Sequence, residues 1–264
     1  MQSNFQTLKV ERRDGNILLV TLHRPEASNA MNTQMGLDLV ELFEGFQTDI
    51  EGLRAIILTG HGDKAFCAGG DLKQRNGMTD EAWQAQHLVF ERMLRAILAC
   101  PIPVIAAVNG AAYGGGCEIA AAADFIYASG NARFALTEVT LGIMPGAGGT
   151  QNLPRAVGER RAKELILSGV PFSAAEAEAW GLVNRVLPPD QLLEATFAIA
   201  GRIAGNGPIS VRQAKQAIHR GLQMSLADGL AFEIEAYNRL VPTEDRREGV
   251  LAFNERRRPD FRGK

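Results

Sequence analysis

Residues 104–118 of this chain read VIAAVNGAAYGGGCE, and this stretch decides the fold class. Its first five residues, Val104–Val108, are all apolar, which is typical of a strand covered on both faces of a sheet. A glycine-rich turn follows, and a helical stretch then runs through Ile119–Ala123. A buried strand, a loop and a helix in succession are the repeating unit of an α/β fold, so this class is predicted for the chain.

The same unit recurs on both sides of this stretch. Upstream, two β-type runs flank the turn dipeptide Asp14-Gly15, which predicts a hairpin. Apolar residues then follow one another continuously in some segments and at helical spacing in others. The predicted elements are the strands Leu8–Arg12, Ile17–Leu22, Ala55–Thr59 and Phe125–Ala128, and the helices Thr33–Gln47, Glu81–Ala99 and Gln151–Ala156.

The C-terminal part of the chain has a different, purely helical pattern. The segments Gln191–Ala204, Pro208–Gly221 and Ser225–Leu240 have helical periodicity, with no strand between them. We therefore predict two regions, a core of residues 1–190 that holds the functional site and an α-helical region of residues 191–264. A helical region of this kind usually caps a core or joins subunits.

Composition and charge exclude several classes of protein. The chain has 264 residues, of which 46% are hydrophobic, and a net charge of −2 with acidic and basic residues well mixed. This balance argues against nucleic acid or an anionic membrane as a partner. The segment Met1–Val10 lacks the basic start and apolar run of a signal peptide, and no apolar stretch approaches the ~18 residues of a spanning helix. A soluble, cytoplasmic protein is expected.

The three cysteines, Cys67, Cys100 and Cys117, fit neither a disulfide framework nor a zinc site. We therefore expect a reducing compartment and no metal. Cys67 and Cys117 lie beside glycine-rich segments, which raises the alternative of a catalytic nucleophile. No histidine of the sequence stands in a motif that would supply the base for such a nucleophile, so small buried side chains are the favoured interpretation.

Three glycine-rich segments bring candidate chemistry to the core. The first, residues 64–72, has small residues that let a ligand approach the backbone closely, although a tight turn also uses glycine. The second, residues 109–118, opens a helix, whose first N–H groups are unpaired and whose dipole is positive. A phosphate site is the rival interpretation, but neither the dinucleotide-binding pattern nor the P-loop pattern fits. The third, residues 137–150, ends in a rigid turn that leads into a helix.

Two glutamates stand beside these segments. Glu118 falls in the first turn of the predicted helix, and Glu138 is a lone carboxylate in a largely apolar stretch. Desolvation at Glu138 would raise its pKa toward the range useful for an acid or a base. The alternatives are a glutamate that interacts only with the helix dipole and a glutamate of a surface loop. Paired carboxylates beside open backbone N–H groups suit proton transfer next to a carbonyl.

The ordered set of motifs resembles the crotonase (enoyl-CoA hydratase/isomerase) superfamily over nearly the whole chain. Each motif is weak alone, but the set in this order and at this spacing is specific. The matching segments are residues 24–31, RPEASNAM, residues 66–72, FCAGGDL, residues 114–118, GGGCE, residues 145–151, PGAGGTQ, residues 155–158, RAVG, residues 181–183, GLV, and residues 248–253, EGVLAF.

This resemblance implies a fold and a reaction. The fold is an α/β spiral of β-β-α turns with a helical C-terminal region. The reaction converts an acyl-CoA thioester through an enolate, whose oxygen is held by the backbone N–H groups at Ala68 and Gly115. The two carboxylates of hydratases are both matched, by Glu118 as the base toward water and by Glu138 as the acid toward carbon. The implied function is reversible syn addition of water to a trans-2-enoyl-CoA in fatty acid metabolism.

The resemblance also implies where the substrate binds. CoA is part of the substrate, and no other cofactor is expected. The implied substrate-binding positions are Asn29, Ala30, Met31, Ala65, Ala68, Gly69, Gly70, Asp71, Leu72, Gly114 and Gly115. Gly70 departs from the alanine that is common at its position, but it keeps the loop small. The acyl pocket is expected to be lined by variable loops such as Gln74–Gln86.

Assembly into homotrimers, often paired into hexamers, is a further implication of the resemblance. The basic tail, Arg256–Lys264, holds one aromatic residue, Phe261. In such an assembly Arg256 or Arg257 would meet the CoA phosphates of a neighbouring subunit. A solvated, charged end of the chain is the alternative.

Other outcomes of the same chemistry stay open. The branch that contains methylglutaconyl-CoA hydratase is most similar in three segments, Lys163–Ile166, Gly221–Leu230 and Pro242–Arg246. Enoyl-CoA isomerisation or carnitinyl-CoA dehydration would use the same enolate. Some members of that branch bind RNA through a lysine-rich helix. The segment Thr33–Asp49 has no lysine or arginine and carries Asp38, Glu41, Glu44 and Asp49. Contact of this helix with phosphates is unfavourable, so no nucleic-acid partner is expected.

Overall fold

Two β-sheets form the frame of the molecule. The computed structural model describes residues 5–264. The segment Met1–Val10, in which no signal peptide is predicted, therefore lies partly outside the described residues. Within the described range the strands are β1 Leu8–Arg13, β2 Ile17–Leu22, β3 Ala55–Gly60, β4 Ala65–Cys67, β5 Val104–Val108, β6 Ala111–Tyr113, β7 Phe125–Ser129, β8 Arg133–Ala135, β9 Phe172–Ser173 and β10 Arg185–Leu187.

The sheets are mostly parallel. The larger one has the strand order β1-β2-β3-β5-β7-β10, and the smaller one has the order β4-β6-β8-β9. β1 and β2 form the predicted antiparallel hairpin, and all later neighbours in the larger sheet are parallel. In the smaller sheet only the β8-β9 pair is antiparallel. Parallel neighbours need long crossover connections, which the helices supply.

Helices connect these strands and build the C-terminal region. They are α1 Thr33–Thr48, α2 Leu72–Arg75, α3 Asp80–Leu98, α4 Gly115–Ala122, α5 Gly149–Val157, α6 Glu159–Ser168, α7 Ala174–Ala179, α8 Leu192–Ala204, α9 Pro208–Gly221, α10 Leu226–Asn238 and α11 Glu244–Asn254. Three times, at β3-β4, β5-β6 and β7-β8, a strand of the larger sheet leads into a short strand of the smaller sheet and onward to a helix. This repeat is the predicted spiral of β-β-α turns. None of the helices within residues 5–264 has the length and apolar character needed to cross a membrane.

Both faces of the larger sheet are buried, as its apolar strands predict. In β3, Ile56 and Leu58 belong to the main core, which is shared with α1 and α3, whereas Ala55 and Ile57 belong to a second cluster covered by α8. Successive side chains point to opposite faces of a strand, so an apolar residue at every position requires cover on both sides.

The predicted elements agree with the structure apart from small shifts at their ends, but the sequence does not predict the strands of the smaller sheet. β4 and β6 lie inside the segments interpreted as glycine-rich loops. A strand of two or three residues is too short to show alternation in the sequence. The expectation of a loop over residues 74–86 is wrong, because most of that segment belongs to α2 and α3.

The chain after residue 191 is helical, as predicted, and its tail returns to the core. Arg54 donates a hydrogen bond from Nη2 to the carbonyl of Phe261 at 2.5 Å. The carboxylate of Asp245 accepts hydrogen bonds from the N–H groups of Arg262 and Gly263 at 2.7 and 2.8 Å. The backbone of residues 261–263 is thus fixed to the rest of the protein, whereas residues 256–260 are exposed, in agreement with the alternative of a solvated, charged end.

Two acidic residues of α1, Asp38 and Glu44, form contacts with other parts of the protein. Asp38 is buried, and its Oδ2 accepts hydrogen bonds from the N–H and the hydroxyl of Thr7 at 2.8 and 2.7 Å. Glu44 forms a bidentate ion pair with Arg92 of α3, in which both N–O distances are 2.6 Å. Asp38 is thus not part of a solvent-exposed acidic face.

Candidate active site

The β5-β6-α4 turn carries the second glycine-rich segment to the centre of the molecule. Gly114 precedes α4 with a φ of 50°, in the left-handed region that favours glycine. A Cβ at Gly116 would lie only 2.1 Å from the carbonyl oxygen of Cys67, at the end of β4. The missing side chain therefore lets the start of α4 pack against the first glycine-rich segment.

Glu118 is buried in the first turn of α4 and is 3% exposed. Its Oε1 accepts hydrogen bonds from the backbone N–H groups of Ala147 and Gly149, both at 2.8 Å. These two residues belong to the third glycine-rich segment. Oε2 accepts no hydrogen bond from residues 5–264 and is the oxygen left for a ligand. Interaction with the helix dipole alone does not account for this arrangement.

Burial raises the pKa of Glu118 from 4.5 to about 7. The neighbouring carboxylate of Glu138 raises this pKa as well, whereas the hydrogen bonds from Gly149 and Ala147 and the charge of Arg75 lower it. A carboxyl group with a pKa near neutrality can both accept and donate a proton at physiological pH.

Glu138 begins a short 3₁₀ turn, Glu138–Leu141, that follows β8. It is partly buried, and its Oε2 is enclosed without a hydrogen-bond partner among the described residues. Burial raises the pKa of this carboxyl group, in agreement with the expectation from its apolar surroundings. The alternative of an exposed glutamate in a surface loop is therefore wrong.

Both glutamates line one cavity of about 730 Å³. Its wall also contains most of the predicted binding residues. The predicted residues that line it are Met31, Ala68, Gly69, Gly70, Leu72, Gly114, Gly115, Glu118 and Glu138. The structure therefore brings the three glycine-rich segments and the two carboxylates together around a single space.

Four predicted binding residues, Asn29, Ala30, Ala65 and Asp71, do not line this cavity. Asn29 is buried, and its side-chain amide donates hydrogen bonds to the carbonyls of His61 and Ala65 at 3.0 and 2.9 Å. Asp71 caps α2 and forms an ion pair with Arg24 at 2.9 Å. The contacts of Asn29 and Asp71 hold the first glycine-rich segment in shape, and their contact with CoA stays a prediction.

The backbone donors differ from the prediction at one of two positions. The N–H of Ala68 donates to the carbonyl of Ser28 at 3.2 Å and is thus engaged. Met31 forms a parallel bridge with Gly70, in which the carbonyl of Gly69 and the N–H of Asp71 bond to Met31. In this pattern the N–H of Gly70 points away from Met31.

Gly70 and Gly115 therefore carry the open donors. Neither N–H has an acceptor among the described residues, and a Cβ at Gly115 would lie 3.9 Å from the nitrogen of Gly70. Two neighbouring backbone N–H groups of this kind can hold a developing oxyanion. The structure thus leaves the N–H groups of Gly70 and Gly115 open and engages that of Ala68, and the part of any of them in an oxyanion hole stays a prediction.

The three cysteines are buried and free, which agrees with their interpretation as small buried side chains. Burial raises the pKa of Cys67 to about 11 and also raises the pKa of Cys117, to which the carboxylates of Glu118 and Glu138 add. A thiol of this kind is a poor nucleophile. Within residues 5–264, no group of three or more His, Cys, Asp or Glu is arranged to hold a metal ion.

Comparison with known proteins decides the family. The model of the enoyl-CoA hydratase/isomerase family matches residues 12–264. The chain belongs to the enoyl-CoA hydratase/isomerase family. It is an enzyme of the enoyl-CoA hydratase type, a hydro-lyase, and its confirmed α/β spiral is the fold of that family.

Similar members of the enoyl-CoA hydratase/isomerase family cover almost the full length. The short-chain-enoyl-CoA hydratase of Clostridium acetobutylicum is 42% identical over 93% of this chain and 94% of its own. The 2,3-dehydroadipyl-CoA hydratase of Escherichia coli is 42% identical over 96% of this chain and 97% of its own. The crystal structure of an enoyl-CoA hydratase from Bacillus anthracis has a TM-score of 0.96 and 43% identity, and covers 98% of this chain and 100% of that one.

Arg75 and Trp83 lie in the segment Gln74–Gln86 that is expected to line the acyl pocket, and they do line the cavity, but neither is singled out from the sequence, and His87 lies outside that segment. Arg75 ends α2, and the other two lie on α3. In the sequence these three residues stand in a charged segment without a recognisable motif, so no signal there assigns an individual role to any of them. Their position depends on how α2 and α3 pack over the glycine-rich segments.

Proposed function

We propose that this enzyme catalyses the reversible syn hydration of trans-2-enoyl-CoA thioesters. One observation carries the proposal: the carboxylates of Glu118 and Glu138 share one cavity with the open N–H groups of Gly70 and Gly115. This arrangement supplies a base, an acid and an oxyanion hole, which are the groups that addition of water beside a thioester needs.

In hydration, Glu118 removes a proton from water as the water oxygen forms a bond to the β-carbon. The electron pair of the double bond shifts toward the thioester, and the N–H groups of Gly70 and Gly115 hold the resulting enolate oxygen. Glu138 then delivers its proton to the α-carbon, and the electron pair of the enolate forms the new C–H bond. The pair of carboxyl groups begins and ends with one proton in total, and dehydration is the same sequence reversed.

The hydrogen bonds of Glu118 support its role as the base. Oε1 already accepts two backbone N–H groups, so a transferred proton is carried by Oε2, the oxygen that the protein leaves free. The carboxyl group of Glu138 is disfavoured as an anion by its enclosed, unpaired Oε2. Glu138 is therefore suited to hold the proton that hydration delivers to carbon.

The preferred test uses crotonyl-CoA, the shortest straight-chain member of the substrate class, in water enriched in oxygen-18. We expect a loss of enoyl-thioester absorbance and one heavy oxygen on the β-carbon of the product. Movement of the double bond without oxygen uptake would instead identify an isomerase. Hydration of methylglutaconyl-CoA alone, or dehydration of carnitinyl-CoA alone, would restrict the substrate class to that specialised acyl group.

Substitution of the two carboxylates tests the mechanism. Glu118→Gln and Glu138→Gln should each lower the rate of hydration roughly a hundred- to ten-thousandfold, because each removes an acid–base group. Glu44→Gln is the matched control, since Glu44 pairs with Arg92 on the outside of the molecule. If neither substitution changed the activity of the preparation and the protein bound RNA, the nucleic-acid-binding alternative would be favoured.

We also propose that the enzyme is a homo-oligomer, formed through the helical region of residues 191–264. Large apolar side chains stand exposed there, with Leu222 80%, Leu226 79% and Phe253 83% accessible. Large apolar side chains exposed in one region of the chain support a subunit interface. Light scattering should give the mass of a trimer or a hexamer, and the mass of a single chain would contradict the proposal.

A further inference from the structure

Arg75 is the one basic side chain of lysine or arginine type among the described residues that line the active-site cavity. It is partly buried at the end of α2, where the cavity wall also carries the apolar side chains of Leu72, Trp83 and Phe90. A guanidinium removed from water needs anionic or hydrogen-bonding partners to offset its desolvation.

The guanidinium of Arg75 is held in one orientation by two contacts. Its Nε donates a hydrogen bond to Oε1 of Gln86 at 2.8 Å, and its Cζ lies 4.4 Å from the centre of the Trp83 ring. Gln86 is buried, and its own amide nitrogen donates to Thr33 and Gln74 at 2.8 and 2.9 Å. Because those two bonds fix the amide, its carbonyl oxygen must face Arg75.

The remaining donors of Arg75 are not used by the protein. Within residues 5–264, neither Nη1 nor Nη2 has a hydrogen-bond acceptor, and no carboxylate lies within 4.0 Å of the guanidinium. Gly70 leaves room for it, since a Cβ at that position would lie 3.3 Å from Nη1. The guanidinium is fixed in orientation, and its Nη1 and Nη2 are both free to donate. Two such donors match the two oxygens of a carboxylate.

The charges in the cavity favour such a use. Glu118 and Glu138 already bring two acidic groups, and both interact electrostatically with Arg75. A carboxylate of the substrate would be the third acidic group in this cavity. It would be repelled from the cavity unless a cation compensated its charge. Arg75 supplies that cation in the same cavity.

We propose that Arg75 is a specificity-determining residue that binds a carboxylate at the far end of the acyl group. The preferred substrates are then CoA monothioesters of 2-unsaturated dicarboxylic acids. This inference rests on the proposed hydratase function and adds the substrate class. Gln86 and Trp83 act as positioning residues, because they hold the guanidinium without reaching the reacting atoms.

The phosphates of CoA are a second source of negative charge, but they fit this position less well. The pantetheine arm separates them by many bonds from the thioester, whereas Arg75 lies against Gly70, beside the proposed oxyanion hole. A carboxylate carried by a short acyl chain can reach this point. The two sources predict different results, because every acyl-CoA carries the phosphates and only some carry the carboxylate.

The experiment compares two near-isosteric substrates on the same enzyme preparation. One is the CoA monothioester of 2-pentenedioic or 2-hexenedioic acid, and the other is the same thioester with its free carboxyl group converted to a primary amide. The readout is the ratio of kcat/KM for the acid to kcat/KM for the amide. This ratio does not depend on the fraction of a variant that folds.

For the wild-type enzyme we expect the acid to be preferred, and Arg75→Leu should lower the ratio roughly ten- to a hundredfold, the range for a hydrogen bond to a charged group. Arg92→Leu, which removes an arginine from the outer face of α3, should leave the ratio unchanged. A wild-type ratio near one, or an equal loss for both substrates in Arg75→Leu, would overturn the proposal. Hydration of crotonyl-CoA without a preference for the acid would overturn this inference alone, and hydration of no enoyl-CoA would overturn the proposed function as well.

Discussion

Oε1 of Glu118 accepts a hydrogen bond from the backbone N–H of Gly149 at 2.8 Å, across 31 positions of the chain. The same oxygen accepts the N–H of Ala147, so the carboxyl group is fixed in one orientation. The two hydrogen bonds lower the pKa of Glu118, but burial outweighs them and raises it to about 7. Glu118 is thus a rigidly placed group whose protonation changes near neutral pH.

The pH dependence of activity should reflect this pKa. We expect kcat/KM to follow a bell-shaped curve, because the active pair of carboxyl groups carries one proton, and the alkaline limb should fall as the pair of Glu118 and Glu138 loses that proton, with both pKa values raised by burial. Hydration and dehydration should share the same curve, since the overall reaction neither consumes nor releases a proton. Initial rates in both directions, measured over a range of pH, test this. A rate that does not fall on the alkaline side in either direction would contradict a catalytic proton shared by the two carboxyl groups.

The same raised pKa affects stability. The folded-state pKa of Glu118, about 7, exceeds the ordinary value of 4.5, so its contribution is fully present below about pH 4.5 and is lost as pH rises through 7. Glu118→Gln removes this loss while its amide oxygen can still accept both N–H groups. At about pH 8 the variant should be more stable than the wild type, by up to roughly 3 kcal/mol. Urea unfolding at about pH 5 and pH 8 measures the difference, and equal stability at both values would argue against the raised pKa.

A backbone donor is best removed with proline, and Gly115 is suited to this test because it is the first residue of α4, where proline is tolerated. Gly115→Pro should lower kcat roughly a hundred- to a thousandfold relative to Gly115→Ala, because only the proline variant lacks the N–H. A side chain at this position would meet Cε of Met31 at 2.7 Å in both variants, so the alanine variant controls for that contact. Equal rates in the two variants would remove Gly115 from the oxyanion hole.

The close packing at Gly116 makes a prediction about folding. In Gly116→Ala the new Cβ would lie 2.1 Å from the carbonyl oxygen of Cys67, and backbone atoms cannot easily move away. We expect a loss of stability of about 1–3 kcal/mol or more. Gly45→Ala in α1 is the control, since its Cβ meets nothing within 4 Å and should stabilise the helix by about 0.5–1 kcal/mol. Thermal unfolding distinguishes them, and a Gly116→Ala variant as stable as the control would refute the packing argument.

The buried thiols should be inert in the folded enzyme. Burial raises the pKa of Cys67 and Cys100 to about 11, and it raises that of Cys117 as well. We expect iodoacetamide at neutral pH to leave all three unmodified and activity unchanged, and to modify all three after unfolding. Mass spectrometry reads the outcome. Rapid modification of Cys67 or Cys117 with loss of activity would revive the nucleophile hypothesis.

Much of this protein follows from local sequence. The hairpin, the long helices and the buried strands are predicted because each depends on spacing within a segment, as in Val104–Val108. Glu118 and Glu138 are also candidates from the sequence, because each stands beside a glycine-rich segment, and both line the same cavity. The order of those segments identifies the family and with it the spiral.

Only the tertiary structure decides which backbone groups and side chains face the cavity. The resemblance implies Ala68 as a donor, but the bond of its N–H to Ser28 engages it, and the bridge between Met31 and Gly70 leaves the N–H of Gly70 open. Arg75 has no motif, and its orientation depends on Gln86, which α3 supplies. In each case the deciding contact joins segments that are distant along the chain, so no pattern within either segment contains the information.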